Sequence, residues 1–180
     1  MTKNKKPLIL IGIVALIILI IGWLMSGYND MVKLDENVNR EWSQVENQYQ
    51  RRLDLIPNLV NVVKGYASHE KETLEGVIEA RAKATQTTID PSNMTEEQLA
   101  NFQKSQDGLS GALNRLMVVV EKYPDLKATE NFKQLQDQLE GTENRITLAR
   151  KDYNDAATIY NKEVRSFPNS MLAGIFGCCC

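Results

Sequence analysis

The chain has 180 residues, with 23 acidic and 21 basic side chains, one histidine, and a formal net charge of −2. Three of the basic residues are lysines at the N-terminus, so the chain beyond Met25 carries about −5, which argues against a nucleic-acid or anionic-lipid partner held through bulk charge. The three cysteines stand together as Cys178, Cys179 and Cys180, so no disulfide framework supports a fold.

The first predicted element is a membrane anchor. Residues 8–25 read LILIGIVALIILIIGWLM, eighteen apolar or small residues without a charge. At about 1.5 Å per residue they cover roughly 27 Å, close to the hydrocarbon thickness of a bilayer. Lys3, Lys5 and Lys6 precede the run, and the next lysine is Lys33. Positive charge marks the cytoplasmic end, so the N-terminus is expected inside and the chain from Asn29 outside. The run is too long for a signal-peptide core, and Trp23-Leu24-Met25-Ser26-Gly27 offers no small-residue cleavage site. An uncleaved single-pass anchor in the cell membrane is therefore expected. Gly22 and Ser26 make one small-xxx-small pair, a weak dimerisation signal. The expected organisation is a cytoplasmic N-terminus at 1–7, the anchor at 8–26, a helical body at 28–168 and an apolar tail at 169–180.

The body reads as helix throughout. Apolar residues recur at Met31, Val38, Trp42, Val45, Tyr49, Ile56, Leu59, Val63 and Tyr66, in steps of three and four that match a coiled-coil seam. A second helix follows Ser68, with Leu74, Val77, Ile78, Arg81 and Ala84 on its stripe. Residues 85–93, TQTTIDPSN, read as a loop. Thr95 and Gln98 form a capping box for a third helix, whose stripe runs Leu99, Phe102, Gln106, Leu109, Leu113, Leu116, Val120, Tyr123. Pro124 is expected to end it. The last helix starts near Ala128 or Thr129, carries Phe132, Leu135, Leu139, Thr142, Ile146, Ala149, Tyr153, Ala156, Tyr160 and Phe167, and stops at Pro168. No useful stretch alternates with period two. The expected fold is all-α: an N-terminal transmembrane helix followed by an elongated antiparallel four-helix bundle. Up-down-up-down order returns the last helix to the membrane. The tail from Ser170 to Gly177 is expected to rest on the bilayer or on a neighbouring protomer.

Several polar residues fall where a bundle wants none. Arg52 lies on the seam of the first helix, and a guanidinium there must be paired or reach water. Antiparallel alignment brings it toward Glu143 and Asn144, so an Arg52–Glu143 pair is expected, with Arg51 and Glu140 as neighbouring choices. Pro57 removes one backbone hydrogen bond and opposes the carbonyl of Leu53, so a kink is expected. Arg81 sits on an apolar stripe, and Asn154 and Asn161 share a face seven residues apart. These groups either fix helix register or line a ligand pocket at the kink.

Chemistry is poorly provided for. A di-iron bundle needs a Glu-x-x-His on each of two helices, and His69 is the only histidine. Zinc sites need Cys and His clusters, whereas Glu70 and Glu72 beside His69 suit a solvated helix start. Neither enzymatic activity nor a cofactor or metal is expected.

Longer strings carry a family resemblance. Trp42-Ser43-Gln44-Val45, the run RRLDLIPNLV at 51–60, Val63-Lys64-Gly65-Tyr66-Ala67, Ala80-Arg81 and Tyr123-Pro124-Asp125-Leu126-Lys127 are similar to the LemA family. So are the run LEGTENRI at 139–146, Ala149-Arg150, Tyr153-Asn154, Tyr160-Asn161 and Ser166-Phe167-Pro168-Asn169. The resemblance spans residues of about 8–169, and Trp42, Arg51, Arg52, Asp54, Pro57, Asn58, Arg81, Glu143, Asn144, Arg145, Arg150, Asn154 and Asn161 within it are the candidate structural or partner motif. It implies a bacterial membrane protein with one anchor and an outward helical bundle. Relatives in magnetosome-forming bacteria are associated with making those compartments, which implies membrane organisation. The expected function is a membrane-anchored scaffold that forms a homo-oligomer or holds a membrane-protein partner, with no nucleic acid. The alternative is an extracytoplasmic ligand-binding or sensor module with a polar pocket near Pro57. A scaffold should carry apolar residues on a second face, and Val118-Val119-Val120 must turn at least one valine outward.

Overall fold

The structure, a computed structural model, describes residues 5–87, 89 and 94–176. The three terminal cysteines and part of the expected 85–93 loop lie outside these residues. The described residues form helices α1 (Lys5–Tyr66), α2 (Lys71–Gln86), α3 (Glu96–Val120), α4 (Pro124–Ala128), α5 (Glu130–Arg165) and α6 (Asn169–Phe176), and no strand. The all-α expectation holds, and the second helix is separate from the first. They fall into two compact units, one of residues 41–151 and one joining the chain up to Arg40 with the chain from Asp152.

In the 41–151 unit, four long helical segments alternate in direction. Arg81 of α2 meets Leu53 of α1, and Tyr123, just past α3, meets Glu70 just before α2. Glu143 of α5 meets Arg52 of α1. Thus α1 and α3 run one way, and α2 and α5 run the other. Ile56, Leu59 and Val63 from α1, Val77 from α2, Leu109 and Leu116 from α3, Leu126 from α4 and Phe132 from α5 pack into one cluster and are fully buried. Each such side chain contributes roughly 1.5–3 kcal/mol through burial.

The ends of these helices follow local chemistry. Thr95 and Gln98 form the expected capping box: the Gln98 backbone N–H donates to Thr95 Oγ1 at 3.2 Å, and the Thr95 N–H donates to Gln98 Oε1 at 3.0 Å. Two expectations need correction. Helix α3 ends at Val120 rather than Tyr123, and Pro124 opens the short α4 instead of merely stopping α3. A proline suits a first helical position, where its missing N–H has no helical partner to lose. Glu70 is no freely solvated charge, since its Oε1 accepts from the Tyr123 hydroxyl at 3.3 Å.

In the other unit, the aliphatic residues of α1 from Leu10 to Ile21 are exposed, and the helix is long and apolar enough there to cross a membrane. Beyond them Met31 is buried with Val164 of α5 and Leu172 and Ala173 of α6, flanked by Leu24, Tyr28 and Tyr160. The apolar tail is therefore a docked helix whose inner face grips its own chain. Gly27 permits the close approach: a β-carbon there would stand 2.9 Å from Asn169 Oδ1 and 3.5 Å from Leu172 Cδ1. Asn169 is itself held, its Nδ2 donating to Glu163 Oε1 at 2.6 Å.

Candidate functional site

The polar centre of the 41–151 unit is Arg52, whose side chain is only 3% exposed. Its neighbours Leu53 and Ile56 belong to the core, so helical geometry carries the guanidinium inward with them. Nη1 donates to Glu143 Oε2 at 2.9 Å and to Ser110 Oγ at 3.1 Å. Nη2 donates to Gln106 Oε1 at 2.6 Å and to the Gln106 carbonyl at 3.4 Å. Among the described residues Nε has no partner. The Tyr49 ring lies 5.2 Å from the guanidinium carbon, a cation–π distance. One arginine of α1 thus ties α3 and α5 together, and the pair expected with Glu143 is present. The pair is unequal: Glu143 is 55% exposed and stays wet, while Arg52 is dry.

Aromatic packing extends this centre. Tyr49 meets Phe102 edge-on, with centroids 5.0 Å apart, and Trp42 meets the same ring at 5.7 Å. Burial raises the Tyr49 phenol above its ordinary value of 10.0, against the opposing pull of the Arg150 and Arg52 guanidinium groups. A raised phenol pKa favours the neutral form in the folded state. The folded state then retains the proton that the unfolded chain loses above about pH 10. This contribution to stability is complete below pH 10 and is lost as pH rises through the folded value. Urea midpoints are expected to hold steady up to pH 9 and fall above pH 10, with phenolate absorbance lagging in the folded protein. A midpoint unchanged through pH 11 would contradict this.

Arg81 serves a different need. Pro57 has no N–H, so the helix cannot satisfy the Leu53 carbonyl four residues earlier. Arg81 Nε donates to that oxygen at 2.8 Å. Helix α1 continues through Pro57 from Lys5 to Tyr66, with the hydrogen bond lost to proline replaced from α2. The polar residue on the apolar stripe of α2 is thereby explained.

The remaining residues of the sequence motif are not brought together. Arg51, Asp54, Pro57 and Asn58 are exposed on α1, with Asp54 accepting from Gln50 at 2.9 Å. Asn144, Arg145 and Arg150 are exposed on α5, and only Arg150 acts on the centre, through Tyr49. Asn154 and Asn161 belong to the other unit. Two participants, Gln106 and Ser110, are absent from the motif. Gln106 falls on the α3 apolar stripe, which is the one sequence signal for it.

A groove of about 380 Å³ opens beside Arg52, with Ser110, Asn114, Gln136, Glu140 and Glu143 among its polar lining. Among the described residues no group of three or more metal-ligating side chains gathers anywhere.

An apolar helix able to span a bilayer and a helical bundle wired through a buried arginine define a membrane-associated all-α protein. The comparisons sharpen this class. The profile of the LemA family matches residues 41–179, and the chain belongs to that family. It is 29% identical to magnetosome protein MamQ 2 of Paramagnetospirillum magneticum over 178 residues, 89% of this chain and 65% of that protein. It is 27% identical to protein LemA of Metamycoplasma hominis over 146 residues, 81% of this chain and 63% of that protein. With magnetosome protein MamQ of Magnetospirillum gryphiswaldense it shares 27% over 194 residues, 98% of this chain and 71% of that protein. The chain thus spans a little under two thirds of the length of the first two of these relatives. None of the three names states a reaction.

Proposed function

We propose that this protein is a membrane-anchored helical scaffold, without enzymatic activity or cofactor, that self-associates and organises membrane or envelope partners. Its N-terminus lies in the cytoplasm and its bundle outside, following the lysines ahead of the anchor. The observation that carries this function is the internal use of the bundle's buried and half-buried polar groups. Arg52, Gln106 and Arg81 bond across helices, and Thr142 bonds back to its own α5 backbone at 2.7 Å. Such groups fix helix register, as polar seam residues do in coiled coils. Interaction is left to the outer faces, where Val118 is exposed while Val119 and Val120 are buried. Relatives named as magnetosome proteins accord with work at a membrane.

One observation favours a ligand-binding module instead: the Arg52 groove, beside a guanidinium whose Nε donor is unspent. A groove of this size fits a small polar ligand. Light scattering of the full chain in nanodiscs under reducing conditions separates the two. A discrete assembly well above 20.4 kDa of protein is the expected result. A clean monomer would overturn self-assembly and turn attention to the groove.

A further inference from the structure

We propose that the turn between α5 and α6, together with α6, forms a second membrane contact, seated in the interface of the same bilayer that α1 crosses. The proposal rests on α1 as an anchor and is independent of self-assembly. Its occupant is the lipid surface, and its contacting side chains are Trp23, Phe167 and Met171.

Three observations within the unit built from residues up to Arg40 and from Asp152 carry it. First, Phe167 is 81% exposed and Met171 is 62% exposed, although Leu172 and Ala173 beside them are buried against α1. The turn before α6 and the first turn of α6 thus each carry a large apolar side chain, Phe167 and Met171, that their own chain leaves uncovered. Large apolar side chains clustered in the open mark a site that meets another apolar phase.

Second, the position is set by α1. Phe167 and Trp23 line one cleft of about 260 Å³, together with Ser26, Gly27, Asp30 and Asn169. Trp23 lies in the last turn of the apolar run, Ser26 is the first polar position beyond it, and Asp30 is the first charge. From Trp23 to Asp30 the helix rises roughly 10 Å, comparable to the polar layer of about 5–7 Å that borders each hydrocarbon face. The cleft therefore sits at headgroup depth, continuous with the membrane contact of the anchor.

Third, the chemistry is graded as an interface requires. Trp23 and Phe167 are aromatic, and tryptophan in particular favours the boundary between hydrocarbon and water. Asp30, Glu163 and Asn169 line the same cleft and supply its polar groups. Asp30 accepts from Lys33 at 2.8 Å and Glu163 accepts from Asn169 at 2.6 Å. Lys33 offsets the Asp30 charge and the Glu163 carboxylate stays negative, so attraction to the lipid surface rests on the apolar side chains and not on bulk charge.

The test uses the full chain in phosphatidylcholine vesicles and moves the fluorescent reporter. The protein has two tryptophans, Trp23 and Trp42, and Trp42 is buried in the 41–151 unit. W23F therefore keeps only the Trp42 signal, and W23F/F167W adds a reporter at 167. Because Phe167 is exposed, the exchange disturbs no packing, and circular dichroism checks that helicity is kept. With phosphatidylcholine brominated at acyl carbons 6 and 7, the added emission is expected to be blue-shifted and mostly lost, while the Trp42 emission persists. Added emission that is unquenched and at the wavelength of water-exposed tryptophan would overturn the proposal. Unquenched emission that is blue-shifted only at high protein-to-lipid ratio would overturn it in favour of contact with a second copy.

Discussion

Replacing Arg52 with alanine is expected to lower the unfolding free energy of the bundle by about 3 kcal/mol, the largest effect of any single change considered. The cost has two sources. The buried stem leaves a void, and the buried Gln106 amide oxygen, now 2.6 Å from Nη2, loses its charged donor. Glu143 adds little to the loss, because at 55% exposure its carboxylate is rehydrated when the arginine goes. This asymmetry makes a sharper test than the single variant. Arg52→Met refills the volume and is expected to cost less, about 1–2 kcal/mol. Glu143→Gln leaves Arg52 bonded to Gln106 and Ser110 and is expected to cost about 1 kcal/mol or less. Urea denaturation of the three variants checks the order. Equal losses for Arg52→Ala and Glu143→Gln would show that the ion pair, and not the buried network, holds the helices.

The second large effect concerns the carbonyl beneath Pro57. Arg81→Ala is expected to destabilise by about 1–3 kcal/mol, because the Leu53 oxygen keeps no N–H from position 57 and loses its guanidinium donor. Restoring the N–H should remove the need for the arginine. In a Pro57→Ala background the amide of residue 57 bonds Leu53, and the loss caused by Arg81→Ala is expected to shrink to a few tenths of a kcal/mol. A double-mutant cycle on the melting of the full chain in nanodiscs measures this coupling. Additive losses would mean that Arg81 acts through packing alone.

These two networks show what a sequence exposes and what it conceals. The anchor was legible because eighteen uncharged apolar residues satisfy a length requirement set by the bilayer. The Arg52–Glu143 contact was legible because antiparallel helices bring the two regions together, although Arg51 and Glu140 offered the same charges beside them. Gln106 was harder to assign, since a glutamine on an apolar stripe is often a tolerated polar residue whose partner lies elsewhere in the chain. The task of Arg81 was hidden for a stronger reason. Its acceptor is a main-chain atom, present at every position, and only the absence of one N–H on another helix makes it available. The docking of α6 was equally concealed, because an apolar tail gives no sign of which of its faces is already occupied. Pro124 misled in another way: a proline that cannot extend one helix is well suited to begin the next.

Gly27 constrains how the chain is free to diverge. Taken as one residue in the interior of α1, it is a poor choice, and alanine would favour the helix by about 1 kcal/mol. Yet the added β-carbon would stand 2.9 Å from Asn169 Oδ1, closer than β-carbons of folded proteins come to their neighbours, and Asn169 is tethered to Glu163. Local helix preference and the seating of α6 therefore select opposite residues at one position. A lineage that replaces Gly27 and keeps its last helix in place has to shorten residue 169 or turn its side chain away from Glu163. That coupling is a historical signature, readable by comparing positions 27 and 169 across diverged members of the family.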